Sequence, residues 1–189
     1  MAARSGLLLV LSGPSGAGKG AIAAGMLARD RGLWRSVSIT TRQRRSGEID
    51  GVDYLFVTPE EFEAIRERGG CLECFEVFGH WYGTPREPVV GHLGTGQDVL
   101  LEIDVQGAMA VREAYPDAVL IFVRPPSRAV QRARLERRGQ DSPETIERRL
   151  ARADSEEAAA ERFDGVVIND DLGQAIDEVA AIVEAHRAP

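Results

Sequence analysis

Leu7-Leu8-Leu9-Val10-Leu11 followed by Ser12 and then Gly13-Pro14-Ser15-Gly16-Ala17-Gly18-Lys19 is the stretch that decides the fold. The apolar run is continuous, which is typical of a central strand buried on both faces of a parallel sheet. The next seven residues have the GxxxxGK spacing, and a helical pattern from Lys19 to about Arg29 follows. Glycines let backbone N–H groups surround a phosphate, and the helix N-terminus adds the positive end of its dipole. The sequence therefore predicts a phosphate-binding loop, with Lys19 reaching the β- and γ-phosphates of a nucleotide.

The residues after the lysine depart from the usual pattern. A Ser or Thr hydroxyl normally follows the lysine and binds Mg²⁺, whereas this chain has Gly20 and Ala21. We expect Mg²⁺ to be held by nucleotide phosphates, water and a carboxylate from elsewhere. Lys19 is also the one lysine of the chain, among 23 basic residues. A compact ammonium is required here, and the planar fork of arginine does not replace it.

Composition excludes several classes of protein. The chain has 189 residues with 43% hydrophobic and 28% charged residues, which fits one folded globular domain rather than a disordered or fibrous chain. The net charge of −7 argues against a nucleic-acid partner. No apolar run reaches the roughly 20 residues that span a membrane, so we expect no membrane partner and a cytoplasmic location.

Apolar and helical patterns alternate along the chain. Strands are expected at Val99–Ile103, Val119–Val123 and Gly165–Ile168, each followed by a helix. This order predicts an α/β fold with a parallel sheet flanked by helices. The segment from about Arg35 to Val90 is different: it has short strand-like pieces at Ser36–Thr41 and Tyr54–Val57, and a helix after Thr58. It is expected to be an insertion.

Two local patterns have plain structural explanations. Cys71-Leu72-Glu73-Cys74 is a CxxC, but no second pair completes a zinc site, so coincidence is the favoured interpretation. Several arginines on polar helices are interpreted as a solvated face, namely Arg128, Arg132, Arg148 and Arg152.

Ordered motifs in and around the insertion resemble the guanylate kinase family. They are Ser36-Val37-Ser38-Ile39-Thr40-Thr41-Arg42-Gln43-Arg44-Arg45-Ser46-Gly47-Glu48, then Gly51-Val52-Asp53-Tyr54-Leu55-Phe56, and Leu72-Glu73-Cys74-Phe75-Glu76-Val77-Phe78-Gly79-His80-Trp81-Tyr82-Gly83-Thr84. The resemblance runs from about Leu8 to Val183. It implies a P-loop NTPase core, an inserted small α+β GMP-binding subdomain and a helical lid. The expected ranges are 1–34, 92–125 and 163–189 for the core, 35–91 for the insertion and 126–162 for the lid.

The resemblance assigns the acceptor site residue by residue. Arg42 and Arg45 grip the GMP phosphate with Tyr54 and Tyr82, and forked guanidiniums suit a dianionic phosphate. Guanine is read by Ser38, Glu73 and Thr84, with Asp104 nearby. A carboxylate at Glu73 accepts from the donor pair of guanine, which adenine lacks, so AMP leaves it unpaired. Asp104, at the end of a buried strand, is the candidate for contact with Mg²⁺ through water or with the acceptor nucleotide.

The resemblance also assigns the ATP side. Residues Gly13, Pro14, Ser15, Gly16, Ala17, Gly18, Lys19, Gly20 and Ala21 form the loop, Arg138 and Arg149 are the lid arginines at the phosphates, and Asn169 bonds adenine. Lys19, Arg42, Arg138 and Arg149 are the expected catalytic set, with Mg²⁺ brought by ATP.

The activity implied by the resemblance is transfer of the γ-phosphoryl group of ATP to GMP, and to dGMP. Two alternatives stay open at this point. One is a guanylate-kinase-like module that binds phosphorylated or acidic peptides without catalysis, which the Gly20-Ala21 pair favours. The other is a kinase for a different phosphorylated acceptor, such as a sugar phosphate. The oligomeric state is left open.

Overall fold

The computed structural model describes residues 5–139 and 142–187. In these ranges the strands are β1 (Leu8–Ser12), β2 (Leu33–Arg35), β3 (Ile39–Thr40), β4 (Leu55–Phe56), β5 (Cys71–Val77), β6 (His80–Pro85), β7 (Asp98–Glu102), β8 (Val119–Arg124) and β9 (Gly165–Ile168). The helices are α1 (Lys19–Arg29), α2 (Pro59–Glu67), α3 (Arg86–Gly94), α4 (Val105–Ala114), α5 (Arg128–Arg137), α6 (Pro143–Glu157) and α7 (Leu172–Arg187), with a 3₁₀ turn at Ala160–Arg162.

The central sheet is parallel, in the order β2-β7-β1-β8-β9. The apolar run predicted as its central strand is β1, which pairs with β7 on one side and β8 on the other. All five residues of β1 are buried because helices cover both faces of the sheet. The predicted α/β class is confirmed.

Side chains along β1 alternate between two cores. Leu9 and Leu11 pack with α1 and α7, whereas Leu8 and Val10 pack with α3 and α4. The alternation follows from the two-residue period of a strand. Both helix layers are therefore anchored on one strand, and the P-loop leaves the sheet where that strand ends.

A second sheet, in the order β4-β3-β6-β5, forms most of the inserted segment. Strands β5 and β6 form an antiparallel hairpin, and β3 joins β6 antiparallel and β4 parallel. Helix α2 begins as its sequence predicts: the Thr58 hydroxyl accepts from Glu61 N–H, and the Glu61 carboxylate accepts from Thr58 N–H. Phe62 of α2 packs against this sheet with Ile39 and Cys71.

Three elements differ from the expectations. Strand β2 belongs to the central sheet, and helix α3 has no counterpart in the sequence-based assignment. The polar run that begins at Ser142-Pro143-Glu144 predicts a helix to about Arg162, but α6 ends at Glu157 and a 3₁₀ turn follows at Ala160–Arg162. The expected boundaries at 34/35 and 91/92 pass through β2 and α3. Residues 1–4, 140–141 and 188–189 of the expected core and lid ranges lie outside the described residues.

Candidate active site

The loop between β1 and α1 has the backbone that a phosphate cradle requires. Gly13, Gly16 and Gly18 have φ of 130°, 86° and 94°, which side-chain-bearing residues rarely adopt. A Cβ at Gly13 would also lie 2.2 Å from the Val123 carbonyl oxygen. In the described structure no side chain caps the start of α1 at Gly18. The first amides of α1 are therefore available for an anion.

Lys19 folds back over this loop. Its Nζ donates to the carbonyl oxygens of Gly13 at 2.6 Å and Pro14 at 3.2 Å. Burial lowers the pKa of the Lys19 ammonium, and the nearby carboxylates of Glu102 and Glu156 oppose this shift. Triphosphate oxygens bound at the loop would act in the same direction as these carboxylates and stabilise the protonated form of Lys19.

Three side chains brace the loop from behind. Gln131 Nε2 donates to the Ser15 carbonyl at 2.8 Å, and Arg134 Nη1 donates to the Ala17 carbonyl at 3.2 Å. Asn169 Nδ2 also donates to the Ala17 carbonyl, at 2.8 Å. The contacts of Gln131 and Arg134 with the loop were not predicted from the sequence. Both follow from the spacing of α5, because Gln131 is four residues before the buried Leu135 and Arg134 is adjacent to that face.

The position of Asn169 differs from the expectation of an adenine contact. Its side chain is only 4% exposed and packs under the loop rather than along the cavity wall. Arg134 Nη2 donates to its carbonyl oxygen at 2.9 Å. The direct contact with adenine stays a prediction, and in this structure Asn169 holds the loop.

A cavity of 440 Å³ joins the loop to the inserted sheet, a size typical of small-molecule sites. Most of the predicted site residues line it, from Gly13, Ser15, Gly16, Gly18, Lys19 and Gly20 at one end to Ser38, Arg42, Arg45, Tyr54, Glu73, Tyr82 and Asp104 at the other, with Arg138 and Arg149 between. Pro14, Ala17 and Ala21 contribute loop backbone behind it. Thr84 reaches the cavity through its bond to Glu73.

The predicted phosphate clamp is already paired. Arg42 donates bidentately to Glu48, with Nη2–Oε1 at 2.8 Å and Nη1–Oε2 at 3.0 Å, and its Nε donates to the Tyr82 hydroxyl at 3.2 Å. Its guanidinium also lies 5.3 Å from the Tyr54 ring centroid. Glu48 accepts from Arg45 N–H at 2.8 Å, and the hydrogen bond from Arg42 lowers its pKa. Glu48 lies within the quoted motif, but its role as the partner of Arg42 was not predicted.

Glu73 is a half-buried acid in the wall of the cavity. It lies on β5 opposite Thr84 of β6, whose hydroxyl donates to Glu73 Oε1 at 2.6 Å. A Cβ at Gly107 would lie 2.9 Å from Glu73 Oε2, so only glycine leaves room for the carboxylate at the start of α4. Burial raises the pKa of Glu73 to about 7, and the Asp104 charge adds to this while the Thr84 hydroxyl opposes it.

Helix α6 brings two arginines to the cavity. Arg149 Nη1 lies 3.1 Å from Ser15 Oγ in the loop. One turn further, Arg152 donates to Asp104 Oδ2 at 2.6 Å and to Glu156 Oε1 at 2.8 Å. The solvated-face interpretation of Arg152 is therefore wrong. Its three-residue spacing from Arg149 places both on one helix face and could have revealed it.

The other three arginines of that group fit the solvated-face interpretation. Arg128 pairs with Asp154 and Arg132 with Glu147 in exposed ion pairs, and Arg148 donates to the Thr145 hydroxyl on the surface. Such pairs contribute little to stability.

The donor atoms beside Lys19 fit a hydrated Mg²⁺ carried by a nucleotide. A Cβ at Gly20 would lie 3.4 Å and 3.6 Å from the two Glu102 carboxylate oxygens, so a carboxylate faces the position where a hydroxyl usually stands. Asp104 offers a second carboxylate, although Oδ1 accepts from Gly107 N–H and Oδ2 from Arg152. Among the described residues no group of three or more potential ligands forms a complete metal cage. Mg²⁺ commonly keeps several waters and phosphate ligands, so this set suits it.

Both cysteines are free thiols, and burial raises the pKa of Cys71 to about 12. Such thiols are poor metal ligands and poor nucleophiles at neutral pH.

No helix in the described ranges combines the length and apolar character that crossing a membrane demands.

A glycine loop with a buried lysine, at the carboxyl end of the central strand of a parallel α/β sheet, defines a P-loop nucleotide-binding protein. Within this class, the present chain also has an inserted sheet that faces the loop across one cavity. Comparison with known proteins identifies the family. The family model for guanylate kinase matches residues 5–186. The chain belongs to the guanylate kinase family.

Individual relatives match over nearly the whole chain. Guanylate kinases of Thermus thermophilus and Symbiobacterium thermophilum are 52% and 50% identical, covering 96% and 97% of this chain and 82% and 87% of theirs. The crystal structure of guanylate kinase from Anaplasma phagocytophilum superposes with a TM-score of 0.81 at 35% identity, covering 98% of this chain and 88% of that one.

Proposed function

We propose that the protein transfers the γ-phosphoryl group of ATP to GMP, and to dGMP, giving ADP and the nucleoside diphosphate. The observation that carries the choice of acceptor is the pair formed by half-buried Glu73 and buried Thr84, which lies at the same cavity as the Arg42 clamp and the P-loop. A buried carboxylate selects the base that offers two adjacent donors. Guanine offers N1–H and the 2-amino group, and adenine offers no such pair.

The acceptor is held at both ends in this proposal. Its phosphate replaces Glu48 as the partner of Arg42, with Arg45, Tyr54 and Tyr82 completing the clamp. Its base rests on Glu73, with Ser38 and Thr84 beside it. The bidentate pairing of Arg42 with the Glu48 carboxylate supports this, because a carboxylate and a phosphate suit the same guanidinium fork.

The transfer itself is an in-line displacement. An oxygen of the GMP phosphate attacks the γ-phosphorus while the bond to the ADP oxygen breaks. No strong general base is required because the attacking oxygen is already anionic. Lys19, Arg138 and Arg149 stabilise the charge on the transferring group. Glu102 and Asp104 lie where they would help hold a hydrated Mg²⁺ brought by ATP, which would supply further positive charge to the phosphates.

The remaining assignments belong to the same proposal. Residues 35–91 and 126–162 act as the acceptor subdomain and the lid, and they close over the core when both nucleotides bind, which excludes water. Asp104 contacts hydrated Mg²⁺ or the acceptor. ATP and GMP are the partners, and the cytoplasm is the site of action.

An ADP-release assay with ATP and Mg²⁺ tests the proposal. GMP, dGMP, AMP, CMP, UMP, a sugar phosphate and no acceptor are supplied separately. We expect turnover with GMP and dGMP alone. Turnover only with the sugar phosphate would establish a different kinase. Folded protein that binds GMP but turns over nothing would establish a binding module.

A further inference from the structure

The turn between β5 and β6 has an unusual residue at its tip. Phe78 and Gly79 form a two-residue loop between the paired Val77 and His80. Both have positive φ, 53° for Phe78 and 80° for Gly79. Hairpin loops with two such residues favour Asn-Gly, because asparagine tolerates the left-handed conformation far better than an aromatic residue. Local backbone preference therefore does not account for phenylalanine.

Burial does not account for it either. The Phe78 side chain is 39% exposed. What it does contact is charged: the guanidinium carbons of Arg149 and Arg152 lie 5.4 Å and 5.5 Å from its ring centroid. At these distances the ring face attracts both cations. One ring from the insertion thus lies against both arginines that α6 sends into the cavity.

These two arginines reach the parts of the site where the nucleotides meet. Arg149 contacts Ser15 of the P-loop, and Arg152 is bonded to Asp104 at the end of β7. Phe78 itself lines the same cavity. A contact between the hairpin tip and α6 therefore links the acceptor side to the cations that lie beside the P-loop.

We propose that Phe78 is a positioning residue, which fixes Arg149 and Arg152 at the reacting phosphates when the β5–β6 hairpin meets α6. The unfavourable backbone conformation is retained because only an aromatic ring offers two guanidiniums a common face. This inference rests on the proposed kinase activity. It predicts that the turn and the reaction prefer different residues at position 78.

The variant Phe78→Asn separates these two preferences. It suits the turn but removes the ring, so we expect an unchanged or higher Tm together with a kcat at least about 10-fold lower. The KM values for ATP and GMP should change less than threefold, since neither substrate is assigned to the ring. Ile49→Asn is the matched control, because Ile49 is an exposed apolar residue of the same insertion outside the cavity wall. It should leave kcat unchanged.

A second pair of variants keeps the test decisive if Phe78→Asn fails to fold. Phe78→Leu retains an apolar side chain without a ring face and should lose kcat. Phe78→Trp restores a stronger ring face and should recover it relative to leucine. Equal kcat in these two variants would overturn the inference, as would wild-type kcat in folded Phe78→Asn.

A double-mutant cycle with Arg152→Ala locates the effect. The loss caused by Phe78→Asn should be smaller in that background, because only the contact of the ring with Arg149 remains to be lost. Full additivity would contradict the proposed link. A wild-type chain without GMP-dependent turnover would instead refute the kinase proposal, so the two failures are distinguishable.

Discussion

The two ends of the cavity are built in opposite ways. The donor end is one contiguous loop whose ligand-facing groups are backbone amides and a single ammonium, Lys19. The acceptor end is assembled from side chains of β5, β6 and the loop after β3, which pair with one another, as in Arg42–Glu48 and Glu73–Thr84. The backbone cradle accepts any triphosphate. Selectivity therefore resides in the side-chain end, where a wrong ligand leaves buried groups unpaired.

We expect the most severe loss of activity from a substitution of Lys19, the charged side chain of the donor end. Lys19→Arg is expected to lower kcat about 10²- to 10³-fold with the fold intact, because a planar guanidinium cannot occupy the space between the Gly13 and Pro14 carbonyls. Steady-state kinetics and thermal unfolding measure the two parts. Arg29→Lys, the reverse exchange at an exposed position of the same helix, is the control and should be neutral. Near-wild-type turnover of Lys19→Arg would show that a cradle of amides suffices.

The acceptor end should break in selectivity rather than in rate. Glu73→Gln is expected to reduce the preference for GMP over AMP, measured as the ratio of kcat/KM values, by about 100-fold or more. The amide loses one acceptor and presents a donor to guanine N1–H. Glu76→Gln is the matched control, since Glu76 is exposed on the opposite side of β5. An unchanged ratio in Glu73→Gln would place guanine recognition elsewhere.

The same carboxylate should make the acceptor end sensitive to pH. Because burial raises the pKa of Glu73 to about 7, it is increasingly neutral below that value and cannot accept both guanine donors. The KM for GMP is expected to rise about 5-fold between pH 7 and pH 6, because the ionised fraction of Glu73 falls by that factor. The phosphate of GMP itself titrates near pH ~6, so the decisive measurement is the difference between the wild-type and Glu73→Gln profiles. Superimposable profiles would contradict the assignment.

The smallest expected effect returns to the donor end. Gly20 is exposed in the first turn of α1, and Gly20→Ser places its Cβ at ordinary contact distance from Glu102. Serine in a helix is more stable than glycine by about 0.5 kcal/mol, which raises Tm by about 1–2 °C. The hydroxyl should also lower the Mg²⁺ concentration for half-maximal activity. Gly20→Ala is the control, with the gain in stability but no change in the Mg²⁺ requirement. An unaltered requirement in the serine variant would show that Glu102 and water already complete the site.

Features of the fold and the site that depend on neighbouring residues could be predicted from the sequence, as the donor end shows. The β1–loop–α1 unit and the capping box at Thr58 are local in sequence, since each depends on residues within a few positions of one another. The sequence pattern therefore placed them within a residue of their observed bounds. The family motifs predicted that Arg42, Glu73 and Tyr82 lie at one site, and in the structure all three line the same cavity.

What the sequence could not predict depends on contacts between distant segments. Strand β2 is three residues long and exists because β7 pairs with it. Arg152 is bonded to Asp104, which lies 48 residues away in the sequence, and Asn169 is bonded to Ala17, which lies 152 residues away. Arg152 has one local signal, its three-residue spacing from Arg149 on α6, whereas no local pattern distinguishes a loop contact of Asn169 from an adenine contact. The same is true of Phe78, whose two cationic neighbours lie more than seventy residues away in the chain.

The single lysine makes the P-loop selectively reactive toward reagents that modify side-chain amines. Burial lowers the pKa of the Lys19 ammonium, and the uncharged amine is the nucleophile in acylation. No other side chain in the sequence carries an ε-amino group. An amine-selective acylating reagent therefore labels this protein's side chains at one position, and protection by ATP against that labelling reports occupancy of the loop directly, without any turnover.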